Sequence, residues 1–390
     1  MKKVFALLLL ILFLLLICTE ITSAIPAFGR KYNMSCQTCH SPFPKLKAYG
    51  DEFAGNGFAL ADKDAPRYYV ETGDPELSLI RDIPLAIRLE GYTTYNHQKS
   101  ERFDFSAPYL LKLLSGGALT KDVAYYFYFF FSERGEVAGV EDAFIMFNNL
   151  FDTELDLYVG QFQVSDPLFK RELRLTFEDY QIYRSTPGNS RANLTYDRGI
   201  MLTYGFETGT DVIVELLNGT GIGTANSFRI FDDDKYKNVF ARVSQDVVEG
   251  LRIGAFGYFG KENLEDNLSR RFTNSFNMWG PDVTINLKDK LEFNFQYAMR
   301  KDDRPGFWEK DYKTKGMFGE LIYTPLGDES KWYGVALYNF VDSDFDVLDY
   351  NTASLSLGHV LKRNIRLVGE YTYNFEKEYG QFAVGVISAF

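Results

Sequence analysis

The segment Cys36-Gln37-Thr38-Cys39-His40 holds the residue types and spacing best suited to chemistry in this chain. Two thiols three positions apart can each add to one vinyl group of a haem, and a His directly after the second can bring its imidazole to the iron, which is c-type haem attachment. A redox disulfide and half of a zinc site use the same Cys spacing. Zinc needs two further ligands, and beyond His40 the chain has only His97, His359 and the isolated Cys18. A redox disulfide belongs in a thioredoxin-like strand and helix context, whereas this motif follows a short polar stretch, residues 29–35. The expectation is therefore one covalent haem c, anchored by Cys36 and Cys39, with His40 as the axial iron ligand.

The sixth iron ligand is open. His97 and Met201 are the candidates: His97 ends the first expected strand, and Met201 has the parity of an inward-facing residue. Met34 is too close to Cys36 to reach the opposite haem face, Met299 and Met317 lie on apolar faces, and His359 shares parity with Leu355, Leu357 and Leu361. Open or water-bound iron would shift the chemistry toward small ligands and oxygen.

The motif sits in AIPAFGRKYNMSCQTCHSPFPKLKAYGDEFAGNGFAL. This stretch resembles the N-terminal region of the fused monohaem cytochrome and porin family of outer-membrane proteins, a group that includes bacterial iron oxidases. The matching residues are Pro26, Phe28, Arg30, Cys36, Cys39, His40, Phe43, Pro44, Leu46, Gly50, Phe53 and Gly57. The resemblance covers about thirty residues in detail and is architectural beyond them. It implies a haem-bearing segment inside a barrel, ferrous iron as the electron donor and a periplasmic cytochrome as the partner. Independently of it, Phe43, Leu46 and Phe53 offer apolar cover for a macrocycle, and Pro42 and Pro44 stiffen the chain after the iron ligand.

The elements that must position this motif are read from periodicity. In residues 291–300, Leu291, Phe293, Phe295, Tyr297 and Met299 alternate with Glu292, Asn294, Gln296, Ala298 and Arg300, and residues 364–375 repeat the pattern. Candidate strands fall at 83–96, 102–117, 123–131, 139–148, 154–162, 198–207, 211–218, 236–247, 250–260, 271–286, 290–300, 313–324, 331–342, 350–361, 364–374 and 379–390. Connections after even-numbered strands are short, such as Val248-Glu249 and Lys362-Arg363, while those after odd-numbered strands are mostly long, such as 163–197 and 219–235. That asymmetry, an even strand number and a terminal Phe390 point to an all-β outer-membrane barrel of about sixteen antiparallel strands. Such a barrel has an aqueous bore unless something fills it. The expected organisation is a signal peptide at 1–24, a haem-binding plug at 25–82 and the barrel at 83–390.

Composition agrees. The signal reading rests on Lys2 and Lys3, the apolar run 4–17 and the small residues Thr22-Ser23-Ala24. The mean hydropathy of −0.20 excludes a helical membrane bundle, though not a barrel. A net charge of −11 makes nucleic acid a poor partner. Acidic loop residues Asp232, Asp233, Asp234, Asp342, Asp344, Asp346 and Asp349 suit a cationic donor or simple solubility. Residues 163–185 are the most suggestive loop. Asp166-Pro167 reads as a helix start, an inward-folded loop would meet the plug, and Lys170, Arg171 and Arg174 would pair with haem propionates.

Three functional classes follow. The first is an electron conduit, in which a haem at intermediate depth relays electrons between an extracellular donor, Fe(II) as the resemblance implies, and a periplasmic c-type cytochrome. The second is a haem-plugged solute channel, with Arg88, Glu90, Arg242, Arg366 and Glu370 lining the lumen. The third is a haem enzyme acting on a small oxidant. Direction of flow is not readable, because a conduit serves either oxidation or reduction at the cell surface.

Overall fold

The computed structural model describes residues 27–60, 70, 72–74, 76–81, 83–97, 103–307 and 310–390. The expected signal peptide, and Pro26 with it, lie outside the described residues. Eight strands make the first half of the wall: β1 (Leu85–Asn96), β2 (Phe103–Ala118), β3 (Val123–Glu133), β4 (Gly139–Leu150), β5 (Leu155–Gln163), β6 (Tyr196–Gly205), β7 (Thr210–Leu217) and β8 (Asn238–Val248). Eight more complete it: β9 (Leu251–Glu265), β10 (Arg271–Leu287), β11 (Leu291–Asp302), β12 (Tyr312–Tyr323), β13 (Trp332–Ser343), β14 (Tyr350–Lys362), β15 (Ile365–Asn374) and β16 (Tyr379–Ala389). Each pairs antiparallel with its sequence neighbours, and β1 pairs with β16 from Arg88↔Ala389 to Asn96↔Gln381, closing the barrel. Closure matters because an open edge cannot be satisfied in lipid.

The alternation decides which face is which. On β11, Asn294, Gln296, Ala298, Arg300 and Asp302 are buried inside the barrel, while Phe293 points out. On β16, Phe382, Val384 and Val386 are exposed and Ala383 and Ile387 are buried. The outer wall therefore presents Leu, Val, Ile and Phe side chains, and the interior holds ion pairs such as Arg242–Asp282 at 2.6 Å and Arg300–Asp302 at 2.7 Å. An apolar outside around a polar inside is the pattern of a barrel in lipid. Trp332 and His359 stack at 4.0 Å on the exterior near the short-turn end, with the parity expected for His359.

Turns after even-numbered strands are two to four residues long except 324–331, between β12 and β13. Two expectations are corrected. β9 continues to Glu265, into a stretch expected as loop, because Arg271 through Asn274 on β10 pair with Glu265 through Glu262. The helix expected at Asp166-Pro167 does not form. Residues 164–195 fold into the bore as an irregular inner loop with two 3-10 turns, Arg171–Leu173 and Gln181–Arg184. Its amides are captured by the wall in place of an intrahelical ladder: the Glu370 carboxylate accepts from Phe177 N at 2.8 Å and Glu178 N at 2.9 Å, and Asn339 Oδ1 accepts from Gln181 N at 3.2 Å. Val164, Tyr180, Ile182, Tyr183 and Leu194 are buried against lumen residues including Phe240, Tyr258 and Phe318, and Tyr180 stacks on Phe318 at 4.1 Å.

Candidate functional site

Residues 27–60 sit in the short-turn mouth of the barrel. They comprise helix α1 (Ala27–Tyr32), a 3-10 turn at Cys36–Thr38 and helix α2 (Ala48–Gly55). Ser35 Oγ caps the turn by accepting from Gln37 N, and His40 N donates to Cys36 O at 2.8 Å, so the two cysteines and the histidine lie on one tight coil of chain. One end of the segment is held by aromatic packing. Phe53 and Phe58 are buried with Phe28 and Tyr32 against Ala124, Tyr126, Met146 and Phe144 of β3 and β4, and Asn148 Nδ2 donates to Gly55 O at 2.7 Å. The other end is held by polar contacts with the opposite wall. Gln37 Nε2 donates to Asp328 O at 2.5 Å, Lys47 pairs with the Asp328 carboxylate, and Lys45 pairs with Glu292 at 2.8 Å. Turn 324–331, longer than the other short-end turns, thus supplies the motif's docking partner.

Glycine makes the motif compact. A Cβ on Gly50 would lie 2.4 Å from Cys39 O and 2.9 Å from Leu46 Cδ2, so α2 can pack on the motif only with no side chain there. Lys47 N donates to Cys39 O at 2.8 Å across the same contact.

Cys36 and Cys39 are free thiols, each partly exposed, and burial pushes the pKa of both up. His40 Nδ1 donates to Pro44 O at 2.9 Å, and burial pulls its pKa down to about 4, so the ring is neutral with Nε2 available as a lone pair. A backbone carbonyl fixing one ring nitrogen is the usual arrangement of a metal-ligating histidine. This donor set fits a c-type haem. The cleft beside it, between His40, Pro42, Thr324, Asp328 and Arg363, holds only about 20 Å³, room for one water, so seating a macrocycle there requires turn 324–331 to give way.

The remaining expected residues are dispersed. His97 lies just past the long-loop end of β1, with Nδ1 donating to Gly380 O at 2.9 Å, a full strand length from the motif. Met201 is buried on β6 within the cluster containing Phe240 and Leu217. Neither stands beside His40. Lys170 reaches the plug, pairing with Asp51 of α2 at 3.0 Å and holding that carboxyl below its ordinary range. Arg171 forms a forked pair with Asp179, and Arg174 Nη1 donates to Arg171 O at 2.8 Å. Lys112 on β2 pairs with Glu172 at 2.9 Å; burial raises the Glu172 pKa, but Lys112, Arg174 and Arg88 outweigh it and hold it at about 2.

Of the expected lumen residues, Arg88 pairs with Glu90, Arg242 with Asp282, and Glu370 anchors the inner loop. The acidic loop residues are largely consumed locally: Asp232 pairs with Lys237, Asp233 with Arg191 at 3.1 Å and Asp342 with Lys315 at 2.8 Å, while Asp344 accepts from Lys313 N and Asp349 from Ser343 N. Among the described residues no group of three or more His, Cys, Asp or Glu side chains gathers to hold a metal ion. Sequence reasoning missed Asp328, Asp51 and Asp179. No local pattern marks them, since each matters only through a partner distant in sequence.

No sequence-family model and no curated relative matches the chain. Solved structures do resemble it. An OmpT of Vibrio cholerae lacking loop L8 aligns with a TM-score of 0.56 at 12% identity over 79% of this chain and 99% of that one. The anion-selective porin from Comamonas acidovorans gives 0.56 at 13% identity, with the same coverage. The fold is that of a porin barrel. The outer-membrane channel DcaP of Acinetobacter baumannii gives 0.53 at 14% identity over 79% of this chain and 97% of that one. At such identities the likeness is one of architecture.

Proposed function

We propose that this chain is an outer-membrane electron conduit in which a c-type haem, attached through Cys36 and Cys39 with His40 as axial ligand, moves single electrons between an extracellular donor and a periplasmic c-type cytochrome. The observation that carries the reading is the position of the Cys-X-X-Cys-His coil inside the mouth of a closed barrel, with His40 Nδ1 tied to Pro44 O. In outer-membrane barrels short turns face the periplasm, so the motif lies on the side a soluble cytochrome can approach. Bound haem supplies a one-electron couple. The chain's own residues do the positioning: Lys47 and Gln37 tie the motif to Asp328, and Phe53 and Phe58 key the segment into β3 and β4. The inner loop fills the bore beyond it and separates the haem site from bulk solvent on the long-loop side.

Ferrous iron is the donor suggested by the resemblance of the N-terminal stretch to cytochrome–porin fusions; its oxidation to ferric iron releases one electron, which the periplasmic acceptor takes up. Extracellular reduction is the same path run backwards. Anaerobic mixing of purified oxidised protein with ferrous iron tests the oxidising direction: the haem bands convert to the reduced form, and bands that stay oxidised at a pH where the donor can reduce them refute iron oxidation.

A second reading, a solute channel, draws on the porin-like fold. The packed inner loop and plug oppose it. Planar-bilayer recording separates the two, since a conduit gives no steady conductance and a channel does.

A further inference from the structure

Three arginines converge where Phe43 of the plug meets the wall. Arg88 on β1, Arg366 on β15 and Arg174 of the inner loop line one polar cleft with Glu90, Tyr92 and Glu172. Arg88 and Arg366 are 7% and 3% exposed. The Nε of all three is buried without a hydrogen-bond partner. One terminal nitrogen of each is in use: Arg88 Nη1 donates to Glu172 O at 2.8 Å, Arg174 Nη1 to Arg171 O at 2.8 Å, and Arg366 Nη1 to Leu175 O at 3.2 Å and to the Tyr333 hydroxyl at 2.5 Å. The surrounding carboxylates are committed as well. Glu90 takes Arg88, Glu172 takes Lys112, Asp179 takes Arg171 closely with Arg184 at 3.7 Å and Arg174 at 3.9 Å, and Glu370 accepts two loop amides. None of these ion pairs includes Arg366. Among the described residues the cleft therefore holds three arginines against two lining carboxylates, and three buried N–H groups that make no hydrogen bond, which is unfavourable.

The cleft adjoins the Cys-X-X-Cys-His coil. The Arg88 guanidinium lies 6.0 Å from the Phe43 ring centre, and that ring is 5.2 Å from the His40 imidazole. We propose that Arg88, Arg174 and Arg366 form a carboxylate-binding pocket whose ligand is the propionate edge of the haem held by His40. The proposal rests on the haem reading above and refines it. Guanidinium forks match carboxylates geometrically, and a propionate would complete open donors; the cleft itself holds only about 10 Å³, so its walls must part to admit one. Of the three loop cations expected from the sequence to meet propionates, Lys170 and Arg171 are engaged with Asp51 and Asp179, while Arg174 Nε makes no hydrogen bond among the described residues and lies 3.9 Å from Asp179 Oδ1. A free dicarboxylate drawn up the bore would present the same chemistry.

The test uses full-length protein: wild type, Arg366→Gln, Arg174→Gln, and Arg252→Gln on β9 as a distant control. Covalent haem is first measured by its pyridine haemochrome. A wild type without haem defeats the haem reading itself, separately from the pocket. In haem-loaded protein, Arg366→Gln and Arg174→Gln lower the midpoint potential, because lost positive charge favours oxidised iron, and shift the propionate bands in the resonance Raman spectrum; Arg252→Gln changes neither. The Arg174 head group is held within the inner loop, by Arg171 O at 2.8 Å and a long 3.9 Å pair with Asp179, so this variant tests the idea even where Arg366→Gln fails to fold. Unchanged propionate bands in a folded Arg174→Gln protein overturn the assignment. Melting in succinate covers the other source: succinate leaves haem-loaded wild type unchanged, whereas an Arg174-dependent rise in its melting temperature identifies a free-anion site and overturns the propionate assignment.

Discussion

Replacing Gly50 with Ala should loosen α2 from the Cys-X-X-Cys-His coil. The added Cβ would stand 2.4 Å from Cys39 O and 3.0 Å from Cys39 Cα, both backbone atoms that cannot rotate away. Restoring ordinary contact requires α2 to withdraw by about 1 Å, and overpacking of this kind costs roughly 1–3 kcal/mol. Alanine returns about 0.5–1 kcal/mol as the better helix former. The net is a loss of about 1–2 kcal/mol in docking, or roughly 5- to 30-fold more of the opened segment. Gly55, in the same helix, has no atom within 4 Å of its would-be Cβ, so Gly55→Ala is the internal control. Limited proteolysis of folded protein reads the difference, with the barrel core as the resistant reference. Gly50→Ala accelerates cleavage within 27–60 and Gly55→Ala does not. Equal rates for the two variants would refute the idea that α2 must touch Cys39.

Phe53→Ala should cost about 3–5 kcal/mol of plug packing while barely moving the barrel's own melting transition, checked by the same proteolysis and by heat-modified gel mobility. Burial raises the Glu178 pKa from 4.5 to about 7, despite the Tyr350 hydroxyl donating to it. Because the folded value lies above the unfolded one, the stabilisation is complete below about pH 4.5 and fades as pH rises through 7, by up to about 3 kcal/mol. Hydrogen exchange of loop 164–195 should therefore be slower at pH 5 than at pH 8 after intrinsic-rate correction, and Glu178→Gln should remove the difference. The Lys170–Asp51 pair is partly exposed, at 32% and 64%, so a double-mutant cycle of Lys170→Met and Asp51→Asn should give a coupling below about 1 kcal/mol.

The wall was legible because each strand carries its own signal: the alternation in 291–300 and 364–375 alone separates lipid-facing Phe293 and Leu367 from lumen-facing Asn294 and Arg366. The Cys-X-X-Cys-His pattern is equally local, five contiguous residues that the structure gathers on one tight coil. The inner loop was legible only in part. An inward course was one reading of it, but Lys170, expected on a propionate, pairs with Asp51, and the Asp166-Pro167 helix signal lost to Glu370 and Asn339, which take the amides a helix would have used. Likewise the acidic loops suggested a cation mouth, yet Lys237, Arg191 and Lys315 neutralise several of those carboxylates. Arg88 and Arg366 read as lumen lining, and their convergence with Arg174 depends on β1, β15 and a loop that no short sequence window brings together.

The measurement that bears most directly on the central claim is the intact mass and absorption spectrum of protein purified from outer membranes of a host with haem-attachment machinery, beside Cys36→Ala/Cys39→Ala. The account predicts that the native protein carries the mass of one haem and a c-type spectrum that survives acid extraction, and that the double variant inserts as a barrel without either. A native barrel with no covalent haem, or a double variant that retains it, would contradict the account.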